Sequence, residues 1–304
     1  MSKSKTVLWA VDPYSTVTQK ATKTLTFIKR LASPGAKIRL SYVLSPKSIE
    51  WDGDLSTAWL KHIKPNAHKA LSELKLKDVS GLDLLVSPKS SRRHDVERLS
   101  RYAKKQGAQF IVLSTHARRG VKRFFLGSFT EAALMGSSTP MLILNPSMDL
   151  PGKVKRIFVA TDLSTKSIHS LKKQVPFLTA LNAELVLFHK MMDPIEPIVE
   201  GGVPMMGGGL IGYDQFRSDD LRVRQAKMKR LVATLNAQGL RCKGEVSEEA
   251  GMIHDLIQRK ARREKCQMIM TGTGVNALEA FLGGSVTRAL ARESKLPLFV
   301  LPIR

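Results

Sequence analysis

The sequence predicts an α/β protein of two tandem doubly wound domains, each a five-stranded parallel sheet with helices on both faces. Three observations predict it. Short apolar runs alternate with longer amphipathic stretches, as parallel strands do with crossover helices. Five such runs in the first half and five in the second superpose in order, a repeat of roughly 150 residues and so a duplicated domain rather than a solenoid unit. Between the halves stands NPSMDLPGK (145–153), whose two prolines and glycine mark a linker.

The first-half strands are read at TVLWAVD (6–12), AKIRLSYVL (36–44), LDLLVSP (82–88), AQFIVLST (108–115) and MLILNP (141–146). Their second-half counterparts are KRIFVATD (155–162), AELVLFHK (183–190), CKGEVSEE (242–249), QMIMTGT (267–273) and LPLFVLP (296–302). Near-continuous apolar strands fit a sheet buried on both faces. Between them SRRHDVERLSRYAKK (91–105) and GMIHDLIQRKARREK (251–265) carry helix patterns. The domains accordingly span 1–147 and 154–304, with a linker at 148–153. Two connections stand out. SPKSIEWDGDLSTAWLKHIK (45–64) carries Trp51 and Trp59, expected to pack a helix, and MMDPIEPIVEGGVPMMGGGLIGYDQF (191–216) reads as a mobile flap or insertion.

Composition bounds the function. Of 304 residues 43% are hydrophobic and 25% charged, as in a soluble globular protein. Lys and Arg number 49 against 26 Asp and Glu, a net charge of +23. The excess is spread, with 25 basic and 11 acidic residues (+14) up to Leu150 and +9 beyond it. Such a chain is either well solvated or prefers anions, whether nucleotide, nucleic acid, acidic macromolecule or anionic lipid. Aromatics make up only 6%, and no helix-turn-helix, RNA-recognition or zinc pattern supports sequence-specific nucleic-acid readout. Cys242 and Cys266 are too few for a disulfide framework and lack metal-ligand spacing. The apolar run VLWAV (7–11) is too short for a signal sequence, and no window approaches the ~20 apolar residues of a spanning helix. A cytoplasmic protein is expected.

Enzyme signatures are scarce. Neither a Gly-x-Ser-x-Gly elbow nor a Gly-x-x-x-x-Gly-Lys-Ser/Thr loop occurs, and the seven histidines show no metal spacing. His189 falls within a strand, where a buried and satisfied imidazole is expected. Two stretches nevertheless suggest anion chemistry: STHARRGVKRFFLGS (114–128) and TGTGVNALEAFLGGS (271–285). Each joins a strand to a helix through small residues. Free backbone N–H groups and the helix dipole welcome phosphate at such a junction. Asp12 and Asp162 end the first strands of their halves, where each either meets a ligand or caps the next helix.

Taken together, KRIFVATDLS, LVLFHK and LGGSVTRAL resemble the universal stress protein family, and so do VLWAVDPYS and STHARRGVKRFFLGSFTEAAL. The resemblance runs over nearly the whole chain as two copies. It implies an adenine nucleotide alpha hydrolase-like fold and a regulatory or protective role in stress, with ATP or a related adenine nucleotide as ligand. Magnesium is implied only alongside ATP, and a slow ATPase is the most enzymatic reading. Domains of this family commonly pair through their final strand, which implies an intramolecular pseudo-dimer of MLILNP with LPLFVLP; higher assembly stays open.

ATP-binding members carry Gly-x-x-Gly, nine residues, then Gly-Ser or Gly-Thr. In the first half Ser114, Ala117, Gly127 and Ser128 fall at these positions, with Asp12 after the first strand and Val43 near the base. Two glycines are replaced there, but Arg118, Arg119, Lys122 and Arg123 offer anion contacts. In the second half Thr271, Gly274, Gly284 and Ser285 fall at these positions, and Gly272 serves the first after a one-residue adjustment. Asp162 is the counterpart of Asp12, and Lys190, the counterpart of Val43, either crowds the adenine or reaches a phosphate. The second half keeps the glycines without a cation in the loop, and the first keeps the charge. The nucleotide is therefore expected in the second half. The alternative is an interaction module that binds no nucleotide and offers its basic surface to acidic partners, lipid or nucleic acid.

Overall fold

The computed structural model describes residues 5–14, 21–114, 127–145, 148–191, 210–273 and 286–303. In chain order the elements of the first half are β1 (Thr6–Ala10), α1 (Ala21–Leu31), β2 (Lys37–Leu44), α2 (Thr57–Glu73), β3 (Gly81–Val86), α3 (Arg92–Lys105), β4 (Ala108–Ser114), α4 (Ser128–Gly136) and β5 (Met141–Leu144). Those of the second half are β6 (Arg156–Ala160), α5 (Thr165–Lys172), α6 (Val175–Leu181), β7 (Glu184–Lys190), α7 (Leu210–Ala237), β8 (Arg241–Ser247), α8 (Ile253–Arg263), β9 (Met268–Thr273), the helical stretch α9 over 286–293, and β10 (Leu298–Pro302). They form two compact units, one of Met1–Val154 with Met270–Arg304, the other of Lys155–Ile269.

In the first unit the strand order begins β3-β2-β1-β4-β5, all parallel, and continues into β10. That last junction is antiparallel, with Leu298 opposite Ile143, Phe299 opposite Leu142 and Val300 opposite Met141. The apolar runs explain the arrangement. Phe110 to Leu113 of β4 and every residue of β5 are buried, as strands covered on both faces must be. Successive side chains of β2 serve opposite faces. Tyr42 and Leu44 pack with Ala67 and Leu71 of α2, whereas Ser45, just beyond the strand, bonds to Asp95 of α3. Arg39 of β2 holds Asp83 of β3 through two bonds of 2.7 and 2.6 Å. Gly81 makes room for it, since a Cβ there would lie 2.8 Å from the guanidinium.

The second unit repeats the plan in β6-β7-β8, again parallel. Ser164 caps α5 by accepting from the Ser167 N–H at 3.1 Å. Asn182, left-handed at φ 49°, ends α6. Phe158 and Phe188 lie 5.4 Å apart in the core, and Leu231 and Leu235 of α7 are buried.

Two expectations change. The last strands pair in opposite directions, so the sheet is mostly rather than wholly parallel. The segment read as a flap over 191–216 gives way to helix at Leu210. Its prolines stop at Pro204 and none follows through Ala237, so nothing forbids helix there. Residues 192–209 of that segment lie outside the described residues. No described helix is long and apolar enough to cross a membrane.

Phe299 is fully buried and meets Phe110 edge-on at 5.6 Å. Phe299→Ala is expected to lower unfolding free energy by about 3–5 kcal/mol in urea titrations. A loss under about 1 kcal/mol would show that β10 contributes little to this core.

Candidate functional site

Parallel strands all end at the same edge, and the first half brings its candidates there. Asp12 lies just past β1, and its Oδ1 accepts the Tyr14 N–H at 3.0 Å. Val43 is buried near the end of β2 and Ser114 ends β4. Gly127 is the N-cap of α4 with ordinary φ of −58° and supplies no side-chain cap, and Ser128 opens the helix. Ala117, Arg118, Arg119, Lys122 and Arg123 lie outside the described residues.

The sequence reading missed Arg92. Opening α3, it donates from Nε to Ser128 Oγ at 3.2 Å, from Nη2 to the Lys47 carbonyl at 2.7 Å, and from Nη1 to Asp95 Oδ2 at 3.4 Å. Asp95 is fully buried and also accepts from Ser45 Oγ at 2.9 Å. No motif spacing announces this group, because its members come from the end of β2 and the starts of α3 and α4. A basic residue opening a helix was the sole available signal.

Trp51 and Trp59 stack on each other with centroids 4.5 Å apart, and each is about two-fifths exposed (41% and 43%). They therefore pack as a surface pair, not inside a helix interface.

In the second half Asp162 and Lys190 belong to the unit Lys155–Ile269, and Thr271 and Gly272 to the other. Asp162 Oδ1 accepts the Ser164 N–H at 2.9 Å. Between them Leu163 is buried with φ of 58°, a left-handed conformation unfavourable for leucine. Thr161 Oγ1 holds it by accepting the Leu163 N–H at 3.1 Å. Lys190 is buried and donates from Nζ to the Met191 carbonyl at 3.1 Å. Thr271 is buried. The open side of Gly272 faces the Ile303 side chain, so a Cβ there would lie 2.0 Å from Ile303 Cδ1. That clearance serves packing, which makes Gly272 a structural glycine. Gly274, Gly284 and Ser285 lie outside the described residues.

His189 is buried and satisfied, as expected from its place in a strand. Its Nδ1 lies 2.9 Å from the Thr161 carbonyl and its Nε2 3.2 Å from Arg224 Nη1. These partners assign the proton to Nδ1 and make Nε2 the acceptor. Asp220 steadies Arg224 at 3.1 Å. Burial first, and then the Arg224 charge, lower the imidazole pKa, against the bond to Thr161 that raises it. Burial also pushes Cys242 up to about 11 and Cys266 up to about 12, so both thiols stay protonated near neutrality.

A doubly wound sheet with small-residue turns and acidic residues at the carboxyl ends of its strands defines a ligand-binding α/β protein built twice in one chain. The universal stress protein family matches residues 3–145 and again 153–302, and the chain belongs to that family. Solved structures agree on the fold. A universal stress protein from Archaeoglobus fulgidus DSM 4304 superposes with TM-score 0.59 at 19% identity, covering 98% of both chains. A putative universal stress protein from Pseudomonas aeruginosa UCBPP-PA14 gives 0.52 at 14%, covering 99% of this chain and 93% of its own. A functionally unknown protein from Pseudomonas aeruginosa PAO1 gives 0.54 at 12%, covering 98% and 92%. No curated protein matches the sequence.

The lowered pKa of His189 sets a pH dependence. Between the ordinary value of 6.5 and the lower folded value, the unfolded chain binds more protons. The stability tied to a neutral His189 is thus complete above 6.5 and lost as pH falls through that window. Urea midpoints of the wild type should fall more steeply from pH 7 to pH 5 than those of His189→Asn. Parallel profiles would contradict this.

Proposed function

We propose that this protein is a cytoplasmic regulatory or protective protein of the stress response that binds ATP or a related adenine nucleotide in its second half. Family membership supports the role. The observation that carries the site is the turn at the end of β6. Leu163 is held at φ of 58° by bonds on either side, so the position of Asp162 is fixed before any ligand arrives. Backbone strain kept in place by its neighbours is a feature of binding sites more often than of plain turns.

In this reading Asp162 accepts hydrogen bonds from the nucleotide. Thr271, Gly274, Gly284 and Ser285 follow the order of a phosphate loop. Lys190 supplies the positive charge that TGTGVNALEAFLGGS lacks. Magnesium accompanies ATP as counter-charge, with hydrolysis slow or absent. The two halves form a pseudo-dimer through their final strands, a reading supported by the antiparallel β5–β10 pairing.

Small molecules released from the purified chain and identified by mass spectrometry test the proposal. Adenine nucleotide at near-stoichiometric yield is expected, and Gly274→Val should remove it by crowding the backbone approach. No nucleotide, together with no thermal shift in millimolar ATP, would overturn it. Salt-labile retention on DNA or anionic vesicles would then favour an interaction module acting through the +23 charge.

A further inference from the structure

The group around Arg92 in the first half has features that a structural ion pair leaves unexplained. Asp95 is 0% exposed, yet its Oδ1 has no hydrogen-bond partner, while Oδ2 takes Ser45 Oγ at 2.9 Å and Arg92 Nη1 at 3.4 Å. Buried carboxylate oxygens without a donor are rare, because the lost hydration is not replaced. The donor that this oxygen lacks is a protonated group.

Directly above it the chemistry changes sign. Arg92 is partly exposed (29% of its side chain) and bonds to Ser128, the first residue of α4. Neither α4 nor α3 has a side-chain cap at its N-terminus: Gly127 has no side chain to offer, and Ser91 does not bond inward. Two helix starts with unused N–H groups, one guanidinium and one serine hydroxyl call for an anion. Of the three Arg92 bonds, the one to Asp95 is the longest and so the easiest to exchange.

We propose that Arg92, Ser128 and Asp95 form a phosphate site in the first half that requires a protonated phosphate oxygen. An anion entering between Arg92 and Asp95 accepts from the guanidinium, from Ser128 and from the start of α4. Its P–OH donates to Asp95 Oδ1. Ser45 is a positioning residue that fixes the carboxylate through Oδ2. The ligand is inorganic phosphate or a phosphomonoester, both of which keep a proton near neutral pH. Sulfate, equal in shape but fully ionised, has no proton for Asp95 and is repelled by it. The site uses neither the second-half residues assigned to nucleotide nor the loop cations at 118–123.

Calorimetric titration of the full chain with inorganic phosphate and with sulfate at equal ionic strength tests this. Phosphate should bind at least about tenfold more tightly, since one charged hydrogen bond is gained and one like-charge contact avoided. Arg92→Ala should abolish phosphate binding. Asp95→Asn, the same size, should bring the two anions within about twofold by admitting sulfate. Gly274→Val should leave the phosphate preference intact, so failure here and failure of the nucleotide reading are separable. Equal affinity for both anions in the wild type, or phosphate binding that survives Arg92→Ala, would overturn the proposal. If Asp95→Asn does not fold, the wild-type comparison with Arg92→Ala still decides. The phosphomonoester arm repeats the titration with glycerol phosphate, and a preference for it over inorganic phosphate would identify the ester as the ligand.

Discussion

The antiparallel pairing of β5 with β10 is the contact on which the first unit depends. Without it the order β3-β2-β1-β4-β5 would end in a strand with every side chain buried and a row of unsatisfied backbone groups. The pairing covers that edge with Leu298, Phe299 and Val300, all fully buried. The chain's last residues thereby join the unit of its first 154. Asn145 adds a buried bond to the Ser294 carbonyl at 2.9 Å, tying the start of the linker to the turn before β10. Arg292 and Glu131 pair at 2.6 Å on the surface, where solvent screening leaves such a pair weak.

Function follows from the direction of the strands. Because β1, β2 and β4 run parallel, Asp12, Val43 and Ser114 reach one edge, and the starts of α3 and α4 bring Arg92 and Ser128 to it as well. The duplicated plan then diverges in its chemistry. The first half puts a guanidinium and a buried carboxylate at its edge. The second fixes Asp162 with a strained turn and buries Lys190 at the position of Val43. One scaffold offers two environments for anions, differing in charge and in proton demand.

Much of the fold was legible because strands buried on both faces are continuous apolar runs, and MLILNP and LPLFVLP needed no periodicity argument. His189 was legible for the same reason. The direction of the β5–β10 pairing was not, since alternation of side chains is the same in either sense. The site was legible only where one stretch of chain builds it. Arg92 meets Ser128 across 36 residues, and a spacing that arises from tertiary packing carries no local signal. Gly272 shows the opposite failure. It sits beside a motif position, but its open side is filled by Ile303, which the sequence places 31 residues away.

Amide hydrogen exchange along β5 and β10 tests the weld most directly. If this pairing holds the first unit together, the amides of Leu142, Ile143, Phe299 and Val300 exchange only through global unfolding, at rates that match those of Leu8 in β1 and Val112 in β4. Exchange of β10 through local opening, while β1 and β4 stay protected, would mean that the last strand merely covers a sheet that is stable without it.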